Sequence, residues 1–411
     1  MFRRLRHHVA VFFSVIGPGV VTAMVDNDAG GIYTYSQAGA RFGYLPLWTL
    51  LPITAALVVT QEMCARMGAV TGKGLSDLIR EEFGFRTTFL LMIVLLLVNL
   101  TNVMANFAGI ATSLSLFGVP SSLSVPLGAV AVWLLVVKGT YRSVEKVFLL
   151  ACGFYAAYVV SGVLVRPDWA EAAISSVRPR LMFDDAYVTI LIGMVGTSVA
   201  PWMQFYLQSA VVEKGIDARQ YRESRVEVVV GCVVMTLIAF FIIVACAGAI
   251  FSQGPRDIHS AAEAAEALRP FGRYAYFLFS AGLCNASLFA ASILPLSTAY
   301  SVCEGLGFES GVNKRFEEAP VFYWLYTGLI VVGAGVVLIP NFPLVRLILT
   351  SQVLNGILLP VILIFMLRLV NRRDLMNGWT NSRVFNAIAW TTAGVMISLS
   401  LSLAGLSFLR K

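Results

Sequence analysis

The chain has 411 residues, of which 58% are hydrophobic and only 13% are charged, and its mean hydropathy is +0.79. A soluble domain is typically about half apolar and a quarter charged, so this composition excludes an ordinary soluble protein and indicates one that crosses a membrane many times. The formal net charge of +7 lies mostly in loops, without a basic patch interleaved with exposed aromatic residues, which argues against a nucleic-acid partner.

Eleven apolar segments follow one another along the chain, each near or above the roughly 20 residues that a helix needs to cross a bilayer. They predict an all-α polytopic membrane protein without a soluble domain or flexible linker. Between the seventh and eighth segments, HSAAEAAEALRP predicts a short amphipathic helix outside the bilayer. The predicted spans cover residues 10–41, 45–71, 86–116, 121–139, 143–165, 183–213, 221–251, 270–305, 318–340, 343–371 and 380–409.

Spans one and six are each interrupted near the middle. The first reads GPGVVTAMVDNDAGG and the second reads GMVGTSVAPWMQFYLQ. A helix broken in the hydrocarbon leaves backbone groups unpaired, which costs several kcal/mol per group unless an ion, water or neighbour pairs them. Paired breaks at matching places are the best sequence indication of a midplane substrate site in a secondary transporter.

The two breaks also define the expected domain organisation. Each broken span opens a block of five spans, and because five is odd, the second block enters the membrane in the opposite orientation. We therefore predict a five-span repeat over residues 1–165, an inverted repeat over 183–371 and an additional helix over 380–409. A cytoplasmic N-terminus would place 20 of the 30 Lys and Arg residues inside, so we expect a multi-pass cell-membrane protein with its C-terminus outside.

Asp28 is the central candidate for cation binding. A carboxylate at bilayer depth costs a few kcal/mol and is retained mainly where it faces a cavity and meets a cation. Beside Gly30 and Gly31 it would lie in unwound backbone, whose carbonyl oxygens are further hard ligands. Capping of the second half-helix is the alternative role, and it does not exclude ligation. Asp26 and Asn27 could line a vestibule or pair with a neighbour.

Polar groups in spans six and ten add to this candidate site. Pro201 removes a helical hydrogen bond and frees a carbonyl one turn earlier, near the hydroxyl oxygens of Thr197 and Ser198. Gln352 and Asn355 in span ten are amides that could contact the ion or its waters, or could bond between helices. All side-chain donors at this site are oxygen, which favours a hard ion, Mg²⁺ first and Mn²⁺ next.

Other chemistry finds little support in the sequence. The six cysteines are scattered through apolar segments without C-x-x-C spacing, and all three histidines lie outside the predicted spans. G-x-S-x-G and H-E-x-x-H are absent, and MGAVTGKGLSD does not fit the phosphate-loop pattern. We expect no enzymatic activity, no resident cofactor and no obligatory protein partner; the expected partners are a divalent metal substrate and the lipid bilayer.

Several segments together resemble the NRAMP family of divalent-metal transporters. The resemblance covers most of the chain and is carried by the broken first helix with AGARFGYLPLW, by QEMCARMGAVTGKGLSDLIRE, by SQVLNGILLP and by RRDLMNG. It implies a fold resembling LeuT, in which spans one to five and six to ten are inverted repeats. This organisation agrees with the one predicted from the breaks.

The resemblance also implies which residues hold the metal. Asp28 matches the family's metal-binding aspartate, whereas Gly31 and Ala200 stand where the family has its Asn and Met ligands. Thr197 takes the place of the residue whose backbone carbonyl binds metal. The expected metal site therefore comprises Asp28, Gly31, Thr197, Ala200 and Gln352.

The proton route of the family is also altered. Trp202, and Leu207 or Gln208, stand where the family has histidines in span six. In span three, Val103 and Asn106 stand where the family has acids. None of these side chains exchanges a proton near neutral pH, so we expect transport without proton coupling.

The loss of these ligands leaves a roomier, harder site, similar to that of the NRAMP-related magnesium transporters. We predict a secondary transporter of Mg²⁺ and Mn²⁺ that binds the ion partly hydrated at the broken helices. The alternatives are a proton-coupled manganese or iron symporter, an aluminium-transporting relative and a LeuT-like carrier of organic solutes or amino acids. Asp28 weighs against a carrier of carboxylate substrates, because it would repel them. Glu62 in span two is expected to pair with Arg66 at i+4.

Overall fold

The computed structural model describes residues 18–137, 152–182 and 184–409, and within these ranges every regular element is a helix. Short 3₁₀ helices cover Leu45–Thr49, Cys152–Tyr155, Phe251–Gln253 and Glu266–Tyr274. The α-helices are α1 (Pro18–Val25), α2 (Ala29–Phe42), α3 (Leu50–Thr71), α4 (Leu75–Ser115), α5 (Ser121–Val137), α6 (Ala156–Leu164), α7 (Trp169–Val177), α8 (Asp185–Ser198), α9 (Pro201–Glu213), α10 (Tyr221–Ala249), α11 (Ala261–Ala265), α12 (Ala275–Leu306), α13 (Pro320–Val337), α14 (Leu344–Val370), α15 (Arg373–Met376) and α16 (Arg383–Leu409).

The prediction of an all-α polytopic membrane protein is confirmed. Eight helical segments in the described ranges are long and apolar enough to cross a membrane, and two shorter apolar helices, Ser121–Val137 and Gly153–Leu164, correspond to predicted spans four and five. The predicted first span is divided into α1 and α2. Its residues 10–17, and residues 143–151 of predicted span five, lie outside the described residues.

Two helices differ from the prediction. α4 begins at Leu75, well before the predicted start of span three, and Gly84 turns the chain inside it with φ 81° and ψ 164°. Only glycine adopts such a φ without strain, so Gly84 separates a short first helix from the spanning one. α7 lies between predicted spans five and six, where the sequence predicts no helix. Its N-cap is Asp168, whose side chain accepts a 2.9 Å hydrogen bond from the N–H of Glu171.

The short helix predicted between spans seven and eight is present as α11 and is shorter than HSAAEAAEALRP suggests. The Ser260 side chain caps it by accepting a hydrogen bond from the N–H of Glu263 at 3.3 Å. The chain then continues as the 3₁₀ helix Glu266–Tyr274 into α12.

The two broken helices lie at the centre of the bundle. Every residue from Ala29 to Ala40 in α2 is buried, and so is every residue from Pro201 to Val211 in α9. α2 contacts α4, α8, α10 and α14, while α9 contacts α1, α3, α4 and α12. By contrast, only 17% of the most apolar part of α16 is buried, which places this helix at the periphery. The breaks therefore face protein rather than lipid, as unpaired backbone in a membrane requires.

Candidate metal-transport site

The first break is organised around the Asp28 carboxylate. Asp28 is the N-cap of α2, and its Oδ1 accepts a hydrogen bond from the N–H of Gly31 at 3.0 Å. Its Oδ2 accepts a 2.7 Å hydrogen bond from Nδ2 of Asn106 in α4, while Oδ1 of Asn106 accepts from the N–H of Ala29 at 3.4 Å. Each carboxylate oxygen thus holds one donor, which fixes its orientation while leaving lone pairs for a cation or its waters.

The unwound residues before Asp28 are only partly satisfied. The Tyr155 hydroxyl donates to the carbonyl of Asn27 at 2.9 Å and to that of Met24 at 3.4 Å. The Asn27 side-chain amide and Oδ2 of Asp26 are buried and have no hydrogen-bond partner in the described part of the chain. Buried polar atoms of this kind are rare and call for a specific explanation, such as an ion or water that enters the site.

The second break removes one helical hydrogen bond at the end of α8. Pro201 begins α9 and lacks the N–H that would pair with the Thr197 carbonyl in a continuous helix. The Ser198 hydroxyl is 2.6 Å from the Tyr35 hydroxyl, so a buried hydrogen bond joins the second break to the middle of α2. Ala200 lies between the half-helices, and its carbonyl accepts from the N–H of Met203 at 3.1 Å.

Gly31 brings the two breaks together. A Cβ on this residue would lie 2.5 Å from the backbone carbonyl oxygen of Asp26 and 3.5 Å from the Thr197 hydroxyl. The lack of a side chain at this position therefore keeps the Asp26 carbonyl open toward Thr197. This carbonyl is an oxygen donor that the sequence did not reveal.

Gly30 makes the corresponding contact with span ten. A Cβ on Gly30 would overlap Nε2 of Gln352 and would lie 2.9 Å from Oδ1 of Asp28. Gln352 is therefore adjacent to the carboxylate, with the N–H₂ end of its amide toward the glycine. Its Oε1 accepts a 3.1 Å hydrogen bond from Asn355.

Four of the five predicted site residues come together here. Asp28, Thr197 and Gln352 lie around Gly31 and its neighbour Gly30, whereas Ala200 offers no side-chain donor and its carbonyl is engaged within α9. In the described part of the chain, no three His, Cys, Asp or Glu side chains are grouped to hold a metal. Cation binding at this site would therefore use one carboxylate with carbonyl, hydroxyl and amide groups.

A vestibule leads toward this site from one side. It is a cavity of about 860 Å³ between α2, α8, α14 and residues 257–259 of the loop before α11. Thr34, Gly193 and Val353 line it, and each is within about one helical turn of a site residue along its own helix. The vestibule side is the side on which α2 ends and on which α8 and α14 begin.

Hydrogen bonds fasten the opposite side, where α9 runs away from the break. Nε2 of Gln208 in α9 donates to the Lys73 carbonyl at 2.9 Å, and Ser209 donates to Glu304 of α12 at 3.0 Å. Gln61 of α3 donates to Gln204 at 3.0 Å. The two sides of the site therefore differ: one contains the vestibule, and on the other side chains of α9 are hydrogen-bonded to neighbouring segments.

Glu62 makes the contact predicted for it. Its Oε2 accepts from the Arg66 guanidinium at 3.1 Å, and both side chains are buried. Arg66 also donates to the carbonyls of Trp379 at 2.8 Å and Thr380 at 3.0 Å, which fixes the segment before α16 to α3. The Glu62 carboxylate is thus part of a structural ion pair.

Two central broken helices, a polar site between them and a vestibule that leads to it define a secondary membrane transporter. The chain belongs to the Nramp family, described as natural resistance-associated macrophage protein-like, which it matches over residues 19–405. Members of this family are transporters, not enzymes, which confirms the predictions of the family and of a non-enzymatic function.

The chain is similar to named relatives over nearly its whole length. It is 26% identical to the "Divalent metal cation transporter MntH" of Granulibacter bethesdensis, over 94% of this chain and 87% of that protein. Its structure resembles that of the Eremococcus coleocola manganese transporter with a TM-score of 0.77, at 20% identity, over 97% of this chain and 88% of the other. It also resembles MhsT in complex with L-phenylalanine, with a TM-score of 0.63 at 13% identity, over 94% and 98%. These structures show the fold, which is of the LeuT type.

Proposed function

We propose that this protein carries Mg²⁺ and Mn²⁺ across the membrane, held partly hydrated between the two breaks and moved without proton coupling. The names of the relatives, a divalent metal cation transporter and a manganese transporter, support divalent cations in general and Mn²⁺ in particular. The preference for Mg²⁺ and the absence of proton coupling rest on the residues of this site.

The observation that carries the proposal is the all-oxygen environment of the ion. The Asp28 carboxylate, the Asp26 carbonyl and the Thr197 hydroxyl converge on Gly31. Ala200 supplies no sulfur. Hard oxygen ligands suit Mg²⁺ and Mn²⁺ and give no advantage to softer ions such as Cd²⁺.

The small number of oxygen ligands available at the site supports an ion that keeps part of its water shell. Both oxygens of Asp28 already accept a protein hydrogen bond, and the Gln352 amide presents its N–H₂ end to the site. Mg²⁺ gives up its waters reluctantly and is usually bound through one or two carboxylates. An ion that keeps its waters would hydrogen-bond through them to the remaining lone pairs, and Ca²⁺, which prefers more ligands at longer distances, would be disfavoured.

The absence of proton coupling is supported by the neighbours of the carboxylate. The groups that hydrogen-bond to Asp28 are backbone N–H groups, including that of Gly31, and the side-chain amide of Asn106. The Gln352 amide is adjacent, and none of these groups exchanges a proton near neutral pH. A proton route through a membrane protein is normally built from Asp, Glu and His. Glu62, the acid most able to upset this argument, is paired with Arg66.

A proton-coupled Mn²⁺ or Fe²⁺ symporter is the second candidate. The name of the manganese transporter that this structure resembles favours it. Asp26 is the observation in this chain that fits it, because Asp26 is a second buried carboxylate beside Asp28 and its Oδ2 has no partner in the described residues. The two candidates differ in what happens to protons during metal uptake.

Uptake by proteoliposomes of the purified protein tests both parts of the proposal. Mg²⁺, Mn²⁺, Ca²⁺ and Cd²⁺ are offered separately under an inside-negative potential, and a trapped dye reports internal pH. We expect uptake of Mg²⁺ and Mn²⁺ above Ca²⁺ and Cd²⁺, with no acidification beyond that of empty vesicles. Uptake of Mn²⁺ or Cd²⁺ without Mg²⁺ would refute the ion preference, and acidification that tracks metal entry would refute the uncoupled mechanism.

We also propose that the N-terminus is cytoplasmic and the C-terminus outside, with inverted repeats over 1–165 and 183–371 and an additional helix over 380–409. The excess of basic residues on one side supports this orientation. The vestibule would then open to the exterior. A membrane-impermeant thiol reagent applied to intact cells should label Cys introduced at Asp257 in the vestibule and not Cys introduced at Lys73; the reverse pattern would contradict this orientation.

A further inference from the structure

Four buried amide side chains lie between Asp28 and span ten. We call Asn102 and Asn106 of α4 and Gln352 and Asn355 of α14 the amide array; all are at most 2% exposed. It begins where Nδ2 of Asn106 donates to Asp28 at 2.7 Å and also to the backbone carbonyl of Asn102 at 3.0 Å.

Asn102 and Asn355 exchange hydrogen bonds across the interface of α4 and α14. Nδ2 of Asn102 donates to Oδ1 of Asn355 at 2.8 Å, and Nδ2 of Asn355 returns a bond to Oδ1 of Asn102 at 3.0 Å. Gln352 joins this pair at both ends of its amide. It donates to Oδ1 of Asn102 at 3.2 Å and accepts from Nδ2 of Asn355 at 3.1 Å.

The pattern of donors and acceptors fixes the orientation of the amides: Asn102, Gln352 and Asn355 bond to one another through their side chains, whereas Asn106 reaches this group through the backbone carbonyl of Asn102. Asn106 uses its N–H₂ end on Asp28 and its oxygen on the N–H of Ala29, so turning it would break bonds at both ends. Gln352 is held in the same way, with its oxygen on Asn355 and its N–H₂ end beside Gly30. Such networks are worth more than the sum of their pairs, because each bond fixes the orientation of the next group.

This orientation opposes a cation at Asp28. The N–H₂ end of Gln352 is the positive end of its amide dipole, and it lies on the side of the carboxylate. An ion at Asp28 therefore disfavours the bonds that hold Gln352 to Asn102 and Asn355. A rotated Gln352 would instead offer its oxygen to the ion or to the waters of the ion.

We propose that Asn106 positions the Asp28 carboxylate and that the amide array couples cation binding at Asp28 to span ten. This inference rests on the proposed function only in that a cation occupies Asp28, whichever divalent ion it is. In the simpler alternative, the amides only hold α4 and α14 together, and each contributes independently. The two differ in whether the effects of separate substitutions add.

A double-mutant cycle on transport kinetics tests this coupling. The variants are Asn106→Leu, Asn355→Leu and the double variant, assayed in proteoliposomes with the divalent cation that the wild type transports fastest. We expect Asn106→Leu to raise KM about 10-fold or more, because it removes a hydrogen bond to a charged group. Asn355→Leu should raise KM less. The fold-increase in KM of the double variant should be clearly smaller than the product of the two single fold-increases. Independent sites would instead add in free energy, so that their fold-increases in KM multiply.

Asn99→Leu is the matched control. Asn99 is a buried amide on the same helix, and its Nδ2 donates to Thr298 at 2.9 Å, away from the array. It should leave KM unchanged even if the yield of protein falls. If Asn106→Leu does not reach the membrane, Asn106→Ser replaces it in the cycle. The proposal would be overturned if the fold-increases in KM of the two single variants multiply in the double variant. It would also be overturned if the Asn106 variant has the KM of the wild type.

Failure of this inference and failure of the proposed function can be told apart. A wild type that transports Mn²⁺ but not Mg²⁺ refutes the ion preference, while the cycle is still measured with Mn²⁺. An additive cycle in a protein that transports Mg²⁺ refutes the coupling and leaves the ion preference standing.

Discussion

The two broken helices are held open by different means. At the first break, side chains stabilise the interruption. Asp28 caps α2, Asn106 donates a hydrogen bond to its carboxylate, and the Tyr155 hydroxyl donates to carbonyls of the unwound turn. At the second break, features of the backbone stabilise the interruption. Pro201 denies a partner to one carbonyl, and α8 packs so tightly on α14 that a Cβ on Gly196 would overlap the backbone of span ten.

The two breaks therefore contribute different properties to the site: the first its charge, and the second its backbone geometry. The first break supplies the charge of the site, and its orientation depends on amides that can rotate. The second supplies carbonyl oxygen in a frame set by backbone contact, which is far harder to deform. We therefore expect substitutions at the first break to change ion binding and those at the second to change folding or the shape of the site.

The largest effect is expected from Asp28→Ala. This change removes the one carboxylate that both breaks surround, so uptake of Mg²⁺ and Mn²⁺ should fall to the level of empty vesicles while the protein stays folded and monodisperse. Asp26→Ala is the matched control, because it removes the neighbouring carboxylate and keeps the backbone carbonyl that faces Gly31. It should reduce uptake less. Near wild-type uptake by Asp28→Ala would show that the cation binds elsewhere.

Glycine substitutions test the contrast between the breaks directly. Gly31→Ala places a Cβ 2.5 Å from the Asp26 carbonyl, so the site must shift, and uptake should fall about 10-fold with folding preserved. Gly196→Ala meets the backbone of α14, including the N atom of Gly356 at 2.5 Å, and should lower the yield of folded protein.

Gly193→Ala is the control for both variants. Its Cβ would meet Thr34 and Val353 at ordinary distances of 3.5 and 3.8 Å, so folding and uptake should both stay near wild type. Thermal stability in detergent and initial uptake rates measure the two effects separately. Equal behaviour of the Gly31 and Gly196 variants in both assays would contradict the division of roles between the breaks.

The sequence predicted those features of the site that depend on which residue types occur in the apolar segments. A carboxylate, a glycine pair and a proline inside apolar segments identified both breaks, and Asp28, Thr197 and Gln352 come together as the pattern suggested. The Asp26 carbonyl and the direction of the Gln352 amide depend on tertiary packing, which no local pattern encodes.

Asn106 illustrates the same limit. The sequence marked it as a polar residue without acid–base chemistry, and only the fold shows that it is the hydrogen-bond partner of Asp28. Gly31 is a second case. Placing the Asn ligand of the family there would bring its Cβ against the Asp26 carbonyl, so Gly31→Asn would disturb the break as well as add a ligand.

Pro201→Ala should have a moderate effect. It restores an N–H at the start of α9, which could then pair with the Thr197 carbonyl and compete with the ion for it. We expect KM to rise by up to about 10-fold, the range of one neutral hydrogen bond, with Vmax less affected. Thr197→Val should change KM less, because it removes the hydroxyl and keeps the carbonyl. A larger effect of Thr197→Val than of Pro201→Ala would assign ligation to the hydroxyl instead.

The smallest effect is expected from restoring the soft ligand of the family at the second break alone. Ala200→Met adds a thioether without touching Gly31, so the charge and the carbonyl frame remain. Because sulfur favours softer ions, the ratio of Cd²⁺ to Mg²⁺ uptake should rise by a few-fold. Ala200 is buried, so added bulk could by itself reduce the rates for every ion. Ala200→Leu therefore serves as the control, with similar volume and no sulfur. A rise in the Cd²⁺ to Mg²⁺ ratio in the Met variant alone would assign this position to the ion, whereas the same change in both variants would mean that Ala200 affects only the shape of the site.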